Sequence, residues 1–180
     1  MEAISVGNRR IPLLGTTLAT LFLALFALVN APLTQAEGIS PAPVDSLQPM
    51  EAQLLTLLNN ERIGHGVAPL AVDGRLEELA RQRSDDMATR NYFSHTTPDG
   101  TMVFDQMNAE GIPYQMAGEN IARNHEDPAI SAEVAHDGFV NSPEHAENDL
   151  DPSFNSVGIG VAVARDGTIY FTELFAELPQ

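Results

Sequence analysis

Cysteine and lysine are both absent from these 180 residues. Without cysteine no disulfide braces the fold, so stability has to come from a packed core, as is common in bacterial exported proteins and unusual in small eukaryotic secreted domains. Without lysine every basic side chain is arginine, and there are few: 9 against 25 Asp and Glu, a formal net charge of −16. A field of that sign repels nucleic acid and anionic lipid headgroups. It favours solubility and cationic partners or divalent ions, and identifies no function by itself. The nucleophile elbow of serine hydrolases is also missing. Ser94 and Ser142 neighbour histidines in sequence, but a Ser–His nucleophile needs geometry rather than adjacency.

Long apolar runs are confined to the start of the chain. Arg9-Arg10 precedes an almost wholly apolar stretch from Ile11 to Ala31, and Thr34-Gln35-Ala36 offers small residues before a cleavage point. That is the layout of a secretory signal peptide over 1–36. The stretch is also long enough to span a bilayer, so an uncleaved N-terminal anchor is the competing expectation. Either places the remainder outside the cytoplasm, secreted or in the periplasm or envelope, with membrane contact only through an uncleaved N-terminal segment. Residues 37–49 read as a Pro/Ser-rich linker, and 50–180 suit one domain.

Within that domain Leu54, Leu55 and Leu58 keep helical spacing in a helix over Glu51–Arg62. Asp73 is a fair N-cap for a second helix, Gly74–Arg90, with Leu76, Leu79, Ala80 and Met87 on one face and Glu77, Arg81, Arg83 and Asp85 covering the other. Further helices are expected over Met102–Glu110 and Pro128–Val140, the latter with Ile130, Val134 and Phe139 inward and stopped by Ser142-Pro143. Tyr114–Ala122 is mixed and reads as a short strand. At the C-terminal end, Val157, Ile159, Val161 and Val163 alternate with small residues. Asp166-Gly167 marks a tight turn needing positive φ, and Ile169–Ala176 alternates again: a β-hairpin whose small residues let helices approach closely. Helices first and a terminal hairpin imply an α+β domain, with helices covering a small antiparallel sheet.

Three short segments carry the candidate chemistry: Phe93-Ser94-His95, Gly118-Glu119-Asn120 and Ser142-Pro143-Glu144-His145. Imidazole and carboxylate serve both acid–base work and metal ligation. Each has a structural alternative. His95 follows a helix C-terminus, where a histidine can interact with terminal carbonyls and the dipole. His145 could be a surface residue paired with Glu144 or Glu147. Glu119 lies between glycine and asparagine near the sheet; a buried carboxylate there needs a partner, whether it holds the fold together, binds a ligand or moves a proton. Glu173 alternates with apolar neighbours and would need a partner too. His65, His125 and His136 read as surface residues.

Taken in order, these segments resemble a known family. The helix ending Asn59-Asn60-Glu61-Arg62, Phe93-Ser94-His95, Gly118-Glu119-Asn120-Ile121, Ser142-Pro143-Glu144-His145-Ala146-Glu147-Asn148, Phe154-Asn155-Ser156-Val157-Gly158-Ile159-Gly160 and Tyr170-Phe171-Thr172-Glu173-Leu174-Phe175 together look like the CAP superfamily. That superfamily comprises cysteine-rich secretory proteins, antigen 5 and plant pathogenesis-related proteins; the likeness is to a cysteine-free bacterial form and covers about residues 51–177. The resemblance implies an α-β-α sandwich with a large cleft lined by two histidines and two glutamates, which in some members bind zinc or another divalent ion. His95, Glu119 and His145 match three of the four. Ser142 stands about where the second glutamate would be, with Glu144 as a substitute; Phe139 replaces a common tryptophan and Ala146 a common arginine.

Two functions follow from that likeness. One is an extracytoplasmic binding module whose cleft, lined by His95, Glu119, Glu144 and His145, takes a lipid, sterol, glycan or peptide. The other is a zinc-dependent, peptidase-like hydrolase in which His95 and His145 hold the metal and His95, Glu119 and His145 are the catalytic candidates.

Overall fold

The computed structural model describes the backbone of residues 2–10 and residues 48–179, with side chains in the second range. In chain order these form β1 (Glu2–Arg10), α1 (Pro49–Gly64), β2 (Ala71–Val72), α2 (Gly74–Arg90), α3 (Val103–Ala109), β3 (Met116–Asn124), α4 (Pro128–Val140), α5 (Pro143–Asp149), β4 (Ser156–Val163) and β5 (Ile169–Glu177). The signal or anchor expected over 1–36 and the linker expected over 37–49 fall mostly on residues 11–47, outside those described; Pro49 is already helical. No helix among the described residues is long and apolar enough to cross a membrane.

The strands form one sheet in the order β1-β3-β5-β4-β2, antiparallel except where the two-residue β2 runs parallel to β4. Alternation along β3 and β5 divides their side chains between two faces. Met116, Ala122, Ile169, Phe171 and Phe175 pack with Leu54 and Leu58 of α1 and Ala132, Ala135 and Phe139 of α4. Ala117, Leu174 and Ala176 pack on the opposite side with Leu76, Leu79 and Ala80 of α2 and Phe104 and Met107 of α3. The domain is therefore an α+β fold built as an α-β-α sandwich.

Two caps set the α2 register. Asp73 accepts hydrogen bonds from the backbone N–H groups of Arg75 and Leu76 at its start, and Asn91 takes the left-handed conformation (φ 54°) at its end. Between them α2 lies so close to β4 that a Cβ on Gly158 would sit 2.1 Å from the Leu76 carbonyl carbon, and one on Gly160 2.1 Å from that of Ala80. The small residues of the first hairpin strand thus serve the approach expected of them.

Several expectations are corrected. The hairpin turn is looser than a two-residue Asp-Gly turn: Gly167 N–H donates to the Ala164 carbonyl, and Gly167 (φ 88°) but not Asp166 takes positive φ. On α4 the inward stripe is Ser131, Ala132, Ala135, His136 and Phe139, so Ile130 turns out to solvent and His136, expected on the surface, is buried. Glu77 and Arg83, expected on the wet face of α2, are buried as well. Ser142-Pro143 ends α4 but also begins α5, because proline at the first helical position loses no hydrogen bond.

Candidate functional site

His95 is positioned by α2. Past the left-handed Asn91, the chain turns back along the helix and meets Arg83, whose side chain is 1% exposed. The Arg83 guanidinium donates to the Tyr92 hydroxyl (2.7 Å), the Ser94 carbonyl (2.9 Å) and the His95 carbonyl (3.3 Å), fixing the segment that carries the imidazole. Its Nε donates to Glu119 Oε1 (2.9 Å). Burial works against the arginine charge, but Glu119 and Tyr92 more than offset it and its pKa lies above the ordinary value. Burial, with Asp86 at 2.5 Å, pushes the Tyr92 hydroxyl up to about 12, so it stays a neutral donor to Asp86.

Glu119 comes from the middle of β3, fully buried on the α2 face. Its second oxygen, Oε2, lies 2.5 Å from His95 Nδ1. The result is a chain of three side chains, Arg83–Glu119–His95, in which a paired carboxylate orients an imidazole. Facing a carboxylate, Nδ1 carries the ring hydrogen, and the lone pair of the neutral ring is on Nε2. His95 is 7% exposed, and its Nε2 has no hydrogen-bond partner among the described residues.

The neighbouring residue points the other way. Asn120 faces α5, where its amide donates to the His145 carbonyl (3.2 Å), Asp149 Oδ1 (2.8 Å) and Glu173 Oε2 (3.2 Å). His145 is buried there with its ring against Phe139, centroids 5.4 Å apart. His95 with Glu119 and His145 thus occupy opposite faces of the sheet. Glu144 is exposed in the first turn of α5. Of the four residues expected to line one cleft, the structure brings together His95 and Glu119, and adds Arg83.

Among the described residues no group of three or more His, Asp or Glu side chains is placed to share a metal ion. His95 Nε2 has no hydrogen-bond partner among the described residues, while Glu119 is engaged by Arg83 and by His95 Nδ1. The remaining histidines have local roles. His65 pairs with Glu61 across one helical turn (2.9 Å), His125 Nε2 lies 2.8 Å from the Thr168 hydroxyl, and burial pushes the His136 pKa down.

Comparison with known proteins agrees with this architecture. The model of the cysteine-rich secretory protein (CAP) family matches residues 55–175. YkwD of Bacillus subtilis is 38% identical over 115 residues, 64% of this chain and 43% of that protein. The crystal structure of an extracellular protein containing an SCP domain from Bacillus anthracis superposes with a TM-score of 0.60 at 31% identity, over 72% of this chain and 44% of that one. An outer surface protein of Borrelia burgdorferi shares the fold at 18% identity (TM-score 0.65, 72% of this chain and 93% of that one). The chain spans less than half the length of the two Bacillus proteins.

Proposed function

The chain belongs to the cysteine-rich secretory protein (CAP) family, and on that premise we propose that it acts outside the cytoplasm as a binding module whose ligand is taken at His95. The extracellular placement of the Bacillus anthracis relative and the apolar segment after Arg10 support the location. One observation carries the site: a buried imidazole nitrogen, His95 Nε2, without a partner among the described residues, on a ring held at Nδ1 by Glu119. A buried acceptor left unmade costs about 1–3 kcal/mol, which a ligand N–H or O–H recovers. Arg83 and Glu119 fix the ring before the ligand arrives, so little ordering is paid on binding. The fitting chemistry is a peptide or a small hydroxylated, otherwise apolar molecule.

Nuclear magnetic resonance of the imidazole nitrogens tests this, with trialanine amide and a straight-chain alcohol as separate probes. At least one is expected to move the His95 Nε2 resonance with a saturable dependence, and to lose its binding in His95→Phe. No shift from either probe, or equal binding by the variant, would sink the proposal. A zinc titration tests the hydrolase alternative. Binding lost in both His95→Ala and His145→Ala would put the two imidazoles on one ion and favour hydrolysis. On the binding-module reading, His145→Ala is expected to leave any zinc affinity at His95 unchanged.

A further inference from the structure

Asp149 and Glu173 stand apart from His95 on the other face of the sheet. Asp149 ends α5 at 1% exposure and Glu173 is fully buried on β5. Both carboxyls reach the same amide, Asn120 Nδ2, at 2.8 and 3.2 Å, so one donor holds the two groups side by side. Their outer oxygens, Asp149 Oδ2 and Glu173 Oε1, have no donor among the described residues. The amide is oversubscribed. Asn148 Nδ2 donates to Asn120 Oδ1 (2.9 Å), which fixes the orientation of that side chain, and the two Nδ2 hydrogens then face three acceptors: Asp149, Glu173 and the His145 carbonyl. Among the described residues the cluster is one hydrogen short, which a carboxyl proton would supply.

Among the described residues no cation donates to either carboxylate, and the Arg62 charge, which favours ionised Asp149, does not overcome its burial. On α1, Arg62 is buried, but it donates to the carbonyls of Ala68 (2.8 Å), Asp149 (2.6 Å), Asp151 (3.1 Å) and Phe154 (3.3 Å) rather than to either carboxylate. Glu61, also on α1, adds negative potential at Asp149. His136 on α4 interacts with Glu61, and burial favours its neutral form. From α5 come the Asn148 amide, which donates to Asn120, the His145 carbonyl, which accepts from it, and the buried imidazole of His145, packed on Phe139. β4 presents Val157 and Ile159 to this layer. A cavity of about 270 Å³ lined by Glu61, His65, Val140, Ala146, Asp149 and Leu150 lies beside α5, while Asp149 itself is 1% exposed.

We propose that Asp149 and Glu173 share one proton near neutral pH and act as a pH-operated latch, holding α5, the helix that carries His145, against the sheet until that proton is lost. Two carboxylates cannot both ionise in a dry site around one amide. Loss of the proton is relieved when α5 swings out and hydrates Asp149. This device is independent of ligand binding at His95 and can fail while that function stands.

Hydrogen exchange of the α5 amides in the full chain reads the latch, after correction for the intrinsic pH dependence of exchange. Burial pushes the Asp149 carboxyl up to about 7 from its ordinary 3.8, so linkage makes α5 open more often at pH 8 than at pH 5, on the order of a hundredfold. In Asp149→Asn the new amide supplies the missing hydrogen permanently, and the pH dependence is expected to disappear. A wild-type α5 with flat protection across that range, or a variant with the same slope, overturns the proposal. If Asp149→Asn fails to fold, Glu173→Gln is judged by the same two outcomes. A protonated-carboxyl infrared band in wild type at pH 6, absent from Asp149→Asn/Glu173→Gln, is the accompanying signature.

Discussion

At the scale of single residues the decisive group is Glu119, because three functions meet on one carboxylate: it neutralises Arg83, orients His95 and sits in the sheet. Removing one member of a buried ion pair leaves an uncompensated charge and costs about 3–5 kcal/mol. Glu119→Gln is expected to lose stability in that range, measured as the urea midpoint at constant denaturant slope. A loss below about 1 kcal/mol would mean that the carbonyl and hydroxyl partners of Arg83 suffice and the pair is not structural. His95 and Glu119 were legible in the sequence because each sits in a short motif. Arg83 was not, although its position held the signal: it falls seven residues after Leu76 and four before Met87, inside the apolar stripe, where its charge argued for the wet face and its spacing for the buried one. Glu173 gave a similar sign by alternating with Phe171 and Phe175. Its partner Asp149 gave none, because no periodicity links residue 149 to residue 173.

At the scale of elements the contact between α2 and β4 sets the geometry, since α2 carries Arg83 and delivers the chain to His95. Gly160→Ala would place a methyl 2.1 Å from the Ala80 carbonyl carbon, with backbone rather than a yielding side chain in the way. Overpacking of this kind costs about 1–3 kcal/mol and sometimes more. The expected result is a loss at or above the top of that range, with a shift in the His95 imidazole resonances as α2 is pushed away. An unshifted His95 in a folded variant would show that the site does not depend on this approach. Removing the α2 cap with Asp73→Ala is milder, expected to cost about 1 kcal/mol in the same urea experiment. These long, strongly patterned elements were legible. The short ones were not: α5 is seven residues long, too short for a period, and its opening proline reads equally as a stop. β3 was seen only as a short mixed strand because it is buried on both faces along most of its length, which erases the alternation that marks a half-wet strand.

At the scale of the whole molecule two electrostatic effects push the same way and must be separated. The net charge of −16 makes the compact state repel itself, more so as pH rises. The Asp149–Glu173 pair has raised folded-state pKa values, caused first by burial. Its stabilising contribution is therefore complete below the ordinary carboxylate range and is lost as pH rises through about 7. The buried His136, with its pKa lowered, works in the opposite direction: its contribution is present above about 6.5 and fades as pH falls. Salt distinguishes the first effect from the second, because near 1 M the screening length is about 3 Å and exposed charges cease to repel, while a buried pair is screened far less. In high salt the wild-type chain is expected to lose about 2–3 kcal/mol of unfolding free energy between pH 5 and pH 8, less whatever His136 returns over the same range. Asp149→Asn/Glu173→Gln should remove that fall and keep the His136 rise, so the two curves should converge toward low pH and separate most at pH 8. Parallel curves in high salt would assign the pH dependence to surface charge and leave the buried pair without a part in it.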